Sequence, residues 1–199
     1  MVSYYIRDKL LRRLSSYRGF AFILPFIYMT ISSDNEIVCD HIVWLLGIAI
    51  ILFGFGFRLW ATKHIGRRML WMKKKGKQLV RKGPYAYVRN PLYIANIIIA
   101  TGLSILSESF WFVPFSTLYF FLVYHFVVLY EENRLLKRWG DEYQAYKDEV
   151  PRWIPRLKIL YGFRDNGFKW IHSFRAESPT LYVIIFVIFI FALKDLIID

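Results

Sequence analysis

Cysteine is almost absent from this chain, since Cys39 is the single one in 199 residues. No internal disulfide can therefore form, and no cysteine-based metal site can be built. The sequence also lacks a Walker phosphate loop, a His-Glu-x-x-His pair and any Cys/His cluster with metal-ligand spacing. No serine or cysteine has a base placed beside it, which argues against nucleophilic catalysis. The usual sequence signs of phosphate-loop, zinc and serine-hydrolase chemistry are thus missing.

Acidic residues are also few, with 15 against 27 basic ones and a formal net charge of +12. In a soluble protein this excess would suggest nucleic-acid binding. Nearly all basic residues, however, lie in three segments: 1–18, 62–91 and 131–178. The short connections between apolar blocks have none. This bias predicts that the N-terminus and both long loops face the cytoplasm and anionic lipid, so we expect no nucleic-acid partner.

The apolar residues make up 56% of the chain and occur in blocks, which is typical of membrane spans. Five blocks are candidate spans: 19–31, 41–61, 92–106, 110–130 and 179–193. The first and last are shorter than the roughly 20 residues of an ordinary span, so the first should be short or tilted. Gly54 and Gly56, in the second block, indicate close helix packing. We expect an all-α, polytopic membrane bundle of about five transmembrane helices with a cytoplasmic cofactor pocket.

The first long loop ends in QLVRKGPYAYVRNPLY, residues 78–93, and runs into the third block. Pro91 suits the first turn of a helix. Arg89 and Asn90 should therefore lie at the N-terminal end of the third span. Free backbone N–H groups and the helix dipole favour an anionic group such as a carboxylate there.

The second long loop follows two adjacent carboxylates, Glu131 and Glu132, at the end of the fourth block. Two neighbouring carboxylates at the edge of a membrane are costly unless a cation meets them. Arg134 or Lys137, about one helical turn on, could pair with Glu131. Alternatively, one carboxylate is held for a cationic ligand. The residues alone leave both interpretations open.

The order of these motifs resembles a known family. GPYAYVRNPLY, one helical hairpin and then EENRLLKRWGDEYQAYKDEVPRWIP are similar to the isoprenylcysteine carboxyl methyltransferase and phospholipid methyltransferase family of integral membrane enzymes. Their usual forms are GPYxxxRHPxY and EExxLxxxFGxxYxxYxxxVPxxIP. The resemblance implies one membrane domain with a methyltransferase core over residues 55–156. Residues 1–18 would then form a basic helix at the membrane surface, and residues 157–199 a linker and a C-terminal hydrophobic helix.

The resemblance also implies S-adenosylmethionine as cofactor, bound between the two loops. Carried over by motif, the cofactor contacts are Lys77, Gln78, Leu79, Val80, Tyr85, Asn90, Pro91, Leu92, Tyr93 and Glu131. Several of these have a structural alternative, since Leu79 and Val80 could simply pack and the tyrosines could anchor the membrane interface. Glu131 has the strongest functional case, because a sulfonium with an ammonium group needs anionic partners.

Glu131, Glu132 and Arg89 are the candidate catalytic residues. Methyl transfer is an in-line displacement, so the protein mainly aligns and desolvates the reactants. We expect Glu132 to support Glu131 through an ion pair, and Arg89 to orient a phosphate or hold the loops together. If the acceptor is an amine, Glu132, His125 or Tyr130 could take its proton.

Two positions depart from the family pattern. Asn90 stands where the family has His, so the site keeps a hydrogen-bonding group but loses one that titrates near neutrality. Val127 stands where eukaryotic isoprenylcysteine enzymes have the Arg that binds the substrate carboxylate. A carboxylate substrate would therefore need Arg134 or Arg58 as a substitute.

Taken together, the sequence predicts a methyltransferase in the bacterial inner membrane or the endoplasmic reticulum, acting on a lipid or lipidated substrate within the bilayer. The acceptor could be a phospholipid amine, a prenyl-type carboxylate or another lipophile. One alternative is an NADPH-dependent sterol or lipid reductase of related fold, although paired carboxylates would repel its phosphates. Another is a membrane scaffold without activity. The sequence does not indicate an oligomeric state.

Overall fold

A computed structural model describes residues 22–31, 40–65, 79–156 and 169–198. Regular structure within these ranges is entirely helical, which confirms the all-α prediction. The elements are α1 (Ile23–Ile31), α2 (Asp40–Ile65), a 3₁₀ turn (Gly83–Ala86), α3 (Pro91–Leu106), α4 (Phe112–Trp139), α5 (Asp141–Glu149) and α6 (Trp170–Ile198). The surface helix predicted over residues 1–18 lies outside the described residues.

Three of these helices are long and apolar enough to cross a membrane: His41–Ile65, Phe112–Trp139 and Trp170–Leu196. Helix α3 is apolar but shorter. Large apolar side chains such as Leu45, Phe53 and Phe189 point outwards and are more than half exposed. In water such a surface would be an aggregation hazard, whereas in lipid it is the expected one. The chain is an integral membrane protein.

Helix α6 begins nine residues before the apolar block from which a last span was predicted, and Pro179 lies inside it. Proline removes one backbone N–H, which leaves the carbonyl four residues earlier without its helical donor. That carbonyl belongs to Arg175, and the Ser178 hydroxyl donates to it at 3.2 Å. The helix therefore continues through the proline and includes the polar residues that precede it.

Helices α2 and α3 pack closely through small residues. A Cβ on Gly54 would lie 2.9 Å from the Ile99 side chain, and one on Gly102 would lie 2.7 Å from Ile51. A Cβ on Gly56 would meet no atom within 4 Å. The predicted packing role is therefore right for Gly54 and wrong for Gly56, which lies on an exposed face of the same helix.

Helices α3 and α4 form an antiparallel hairpin joined by residues 107–111. Hydroxyl pairs connect them, with Thr101 and Thr117 at 2.9 Å and Ser104 and Ser116 at 2.6 Å. Because the hairpin is antiparallel, the start of α3 and the end of α4 lie at the same end of the bundle. Both sequence motifs are attached to that end.

Candidate active site

The two motif segments are joined directly, backbone to backbone. The Arg89 amide donates to the Pro151 carbonyl at 2.9 Å, and the Arg156 amide donates to the Tyr87 carbonyl at 2.9 Å. The Tyr146 hydroxyl of α5 donates to the Tyr85 carbonyl at 2.7 Å. Paired backbone groups of this kind fix two irregular segments relative to each other. Residues some 60 positions apart thus form one structural unit.

Gly83 allows the first segment to turn against the end of α2. Its φ is +61°, a conformation that residues with a side chain rarely adopt. A Cβ there would also lie 2.4 Å from the His64 ring. The whole turn Gly83–Ala86 is buried. A residue larger than glycine would therefore push the Tyr85 segment away from α2.

Glu132 is buried and held by three side chains. Arg152 donates from Nη2 to Oε2 at 2.8 Å and from Nε to Oε1 at 3.1 Å. Arg89 Nε lies 3.5 Å from Oε1 of the same carboxylate, and the Asn90 amide donates to it at 3.3 Å. This hydrogen bonding, opposed by partial burial, raises the pKa of Arg152. Glu132 is only 5% exposed, so its charge is stable here because of these partners.

Glu131 lies one residue earlier on α4 and is half-buried. Its negative charge lies close enough to affect Tyr85. Burial raises the pKa of Tyr85 well above its usual range, and the charge of Glu131 raises it further. Tyr85 therefore keeps its proton at physiological pH. A carboxylate and a neutral phenol, contributed by different motifs, are thus close enough to interact electrostatically.

Three buried polar atoms of Tyr85 and Arg89 make no hydrogen bond among the described residues: the Tyr85 hydroxyl, Arg89 Nη1 and Arg89 Nε, although Nε lies 3.5 Å from Glu132. A buried polar group without a partner costs roughly 1–3 kcal/mol, so native proteins rarely leave one unsatisfied. A hydroxyl donor and a guanidinium donor suit a ligand with oxygen acceptors, and the charge of Glu131 near Tyr85 suits a ligand that also carries positive charge. These residues fit the amino-acid part of S-adenosylmethionine.

The other predicted cofactor contacts are placed differently. Leu92 and Tyr93 face a cavity within the helices, and the Tyr93 ring packs on Tyr124 at 5.0 Å between centroids. Leu79 packs against the Tyr143, Tyr146 and Val150 cluster. Val80 is half-buried, and Pro91 is buried in the first turn of α3. Asn90 occupies the N-cap position of α3 without a side-chain cap hydrogen bond, and its amide donates to Glu132 instead. Lys77 and Gln78 lie outside the described residues.

Sequence reasoning missed Arg152 as the main partner of Glu132. The two are 20 residues apart and lie on either side of α5, so helical spacing cannot pair them. The available signal was Pro151-Arg152-Trp153, inside the second motif itself. The Arg134 guanidinium instead lies 5.7 Å from the Tyr130 ring centroid. Within the described ranges, no group of three or more His, Cys, Asp or Glu side chains could hold a metal ion.

Comparison with known proteins finds relatives of two kinds. The chain is 32% identical over 130 residues to a nickel-cobalt-cadmium resistance protein of Alcaligenes xylosoxydans xylosoxydans, covering 65% of this chain and 55% of the relative. It is 32% identical over 118 residues to a cobalt-zinc-cadmium resistance protein of Cupriavidus metallidurans, covering 59% and 50%. It is 38% identical over 89 residues to the protein-S-isoprenylcysteine O-methyltransferase of Schizosaccharomyces pombe, covering 43% and 36%.

This chain spans about half the length of the two bacterial relatives. No solved structure matches it. The sequence model of the phospholipid methyltransferase family matches residues 42–142, which is just over half of the chain. That range includes nearly all of α2, the first motif, the α3–α4 hairpin and both glutamates. The chain therefore belongs to the phospholipid methyltransferase family of membrane methyltransferases.

Proposed function

We propose that this protein is an S-adenosylmethionine-dependent methyltransferase whose substrate is a lipophile resident in the membrane. The observation that carries the proposal is the joining of the two motif segments, which brings Tyr85 and Glu131 into electrostatic contact. Family membership supports the reaction class. The cofactor and its binding residues are carried over from the family resemblance, and the chemistry of Tyr85, Arg89 and Glu131 is compatible with them.

In this proposal each group has a distinct role. Glu131 supplies negative charge for the sulfonium or the ammonium of the cofactor, and Tyr85 and Arg89 supply donors for its carboxylate. Glu132 holds Arg152 and Arg89 in place, so it positions the site without acting as a base. When bound, S-adenosylmethionine supplies the methyl group and the leaving group, so these residues need only align it and exclude water.

The acceptor depends on which group near the site could remove a proton. Asn90 in place of histidine leaves the start of α3 without a group that titrates near neutrality. Glu132 is already bonded to two arginines. A substrate that needs a proton removed would therefore have to lose it to another group. His125 is a candidate, since its Nδ1 is buried with no hydrogen-bond partner among the described residues.

Binding of S-adenosylhomocysteine to the detergent-purified full chain, measured by isothermal titration calorimetry, tests the cofactor directly. We expect saturable binding of S-adenosylhomocysteine and none of NADPH, whose phosphates Glu131 would repel. Glu131→Gln should weaken binding of S-adenosylmethionine, which carries both the sulfonium and the ammonium, about tenfold or more, since one charge-assisted contact contributes about 1.5–3 kcal/mol.

Glu149→Gln is the matched control, because Glu149 is exposed at the end of α5 and the substitution makes the same chemical change. Its affinity should equal that of the unaltered chain. Binding of NADPH alone, or of neither compound, would contradict the proposal. Equal affinities for Glu131→Gln and Glu149→Gln would remove Glu131 from the site.

A further inference from the structure

A cavity of about 580 Å³ lies among the helices, beside the candidate active site. Its wall is mainly apolar and is contributed by α1, α3, α4 and α6, including Phe26, Ile99, Leu103, Phe120 and Val187. This volume is within the usual range for small-molecule sites. Val183 and Phe186 border the cavity and are 57% exposed, so it opens on the lipid-facing side of α6.

One end of the cavity is polar. Arg58 of α2 donates from Nε to Glu177 Oε2 of α6 at 2.5 Å, and its Nη1 donates to the Asn96 side chain. Thr62 and Thr180 donate to Glu177 at 2.6 and 3.0 Å. Glu177 is only 2% exposed. We call Arg58, Glu177, Asn96 and Thr180 the polar node; its formal charges cancel.

The polar node lies on the side of the cavity next to the first motif. Arg58, Asn96 and Thr180 border the cavity together with Leu92 and Tyr93, the last residues of that motif. The Asn96 amide also donates to the Tyr124 hydroxyl at 3.1 Å, and Tyr124 packs on Tyr93. A molecule whose tail fills the apolar part would thus present its polar end beside the motif.

We propose that this cavity binds a single-chain lipid with an uncharged, hydrogen-bonding head. Arg58 and Glu177 already neutralise each other, so an anionic head would add an uncompensated negative charge at this largely buried place. A cationic head would likewise add an uncompensated positive charge. An alcohol, phenol or carbonyl can bond to the node without breaking it.

The pairing of Arg58 with Glu177 distinguishes this chain from the isoprenylcysteine methyltransferases that its sequence resembles. Those enzymes bind a substrate carboxylate through an arginine, and Val127 occupies the corresponding position in this chain. Arg58 does not replace it as a free cation, because Glu177 already neutralises it. Glu177 lies on α6, beyond the residues that match the family. The carboxylate that neutralises Arg58 is therefore contributed by a helix outside the family match.

Photo-crosslinking of the full chain in phosphatidylcholine vesicles tests the proposal. Three probes share one C16 chain with a diazirine at the same carbon and differ only in the head: alcohol, sulfonate or trimethylammonium. We expect the alcohol probe to label the cavity-lining stretch of α6 about tenfold more than either charged probe. An excess of unlabelled hexadecanol should compete this labelling away. Equal or stronger labelling by a charged probe would overturn the proposal.

Two variants test the location and the charge argument. Val183→Trp places a large ring at the mouth of the cavity and should abolish the competable labelling. Ile185→Trp, at an equally exposed apolar position of α6 that does not border the cavity, should leave it unchanged. Glu177→Gln removes the charge that neutralises Arg58 and should raise labelling by the sulfonate probe severalfold. Loss of labelling in both tryptophan variants, or no response in Glu177→Gln, would contradict the site.

These experiments contain no cofactor. A chain that binds S-adenosylhomocysteine but shows no selective labelling would refute the cavity proposal alone. A chain that labels as expected but does not bind S-adenosylhomocysteine would refute the proposed function and leave the lipid site standing.

Discussion

At the scale of single residues, the site depends on two neighbouring glutamates with different surroundings. On a helix, consecutive side chains point about 100° apart. Glu132 is therefore directed into the bundle, where two arginines and Asn90 surround it. Glu131 lies towards the Tyr85 turn and is half-buried. Glu132 connects the two motifs, and the charge of Glu131 lies close enough to Tyr85 to raise the pKa of that phenol.

Glu132→Ala tests the structural role of the buried carboxylate. The substitution leaves the largely buried Arg89 and the half-buried Arg152 without their shared partner, so we expect a loss of about 3–5 kcal/mol in unfolding free energy. The measurement is unfolding in mixed micelles with a graded denaturing detergent. Glu142→Ala is the control, because its pair with Arg81 is at the surface and should contribute less than about 1 kcal/mol. Similar stabilities for the two variants would show that the buried network adds nothing.

At the scale of helices, the apolar blocks predict α2, α3 and the membrane part of α4, but not their ends. Helix α4 continues to Trp139, well past the last residue of its apolar block. Its final turns carry the two glutamates and several basic residues, which hydropathy does not assign to a span. Helix α6 begins at Trp170 and therefore includes Glu177. The charge of Glu177 is neutralised by Arg58, which lies 119 residues earlier in the sequence. Hydropathy cannot reveal a polar helical turn whose partner is on another helix.

The packing of α2 on α3 can be tested with two glycines from the same helix. Gly54→Ala should destabilise the protein by about 1–3 kcal/mol, because the new methyl group meets Ile98 and Ile99 of α3. Gly56→Ala adds the same methyl group in open space and should be neutral or stabilise by up to about 1 kcal/mol. Thermal unfolding of both variants in detergent makes the comparison. Equal melting temperatures would contradict the close contact.

At the scale of the whole molecule, the paired motifs predict the fold class and the family, and both are confirmed. They also predict that the two loops meet, and the hydrogen bonds from Arg89 and Arg156 to the opposite motif show that they do. The sequence could not reveal the arginine that holds Glu132 or the ion pair between Arg58 and Glu177. Each depends on how helices distant in sequence are arranged, which local patterns do not encode. The cytoplasmic position of the loops stays a prediction.

The central claim is that both motifs contribute to one pocket for a sulfonium cofactor. Ultraviolet crosslinking of radiolabelled S-adenosylmethionine to the purified chain, followed by peptide mapping, tests it most directly. We predict label in two separate peptides, one within residues 79–93 and one containing Glu131, and loss of both with excess S-adenosylhomocysteine. Label confined to one motif, or found only outside both, would contradict the account.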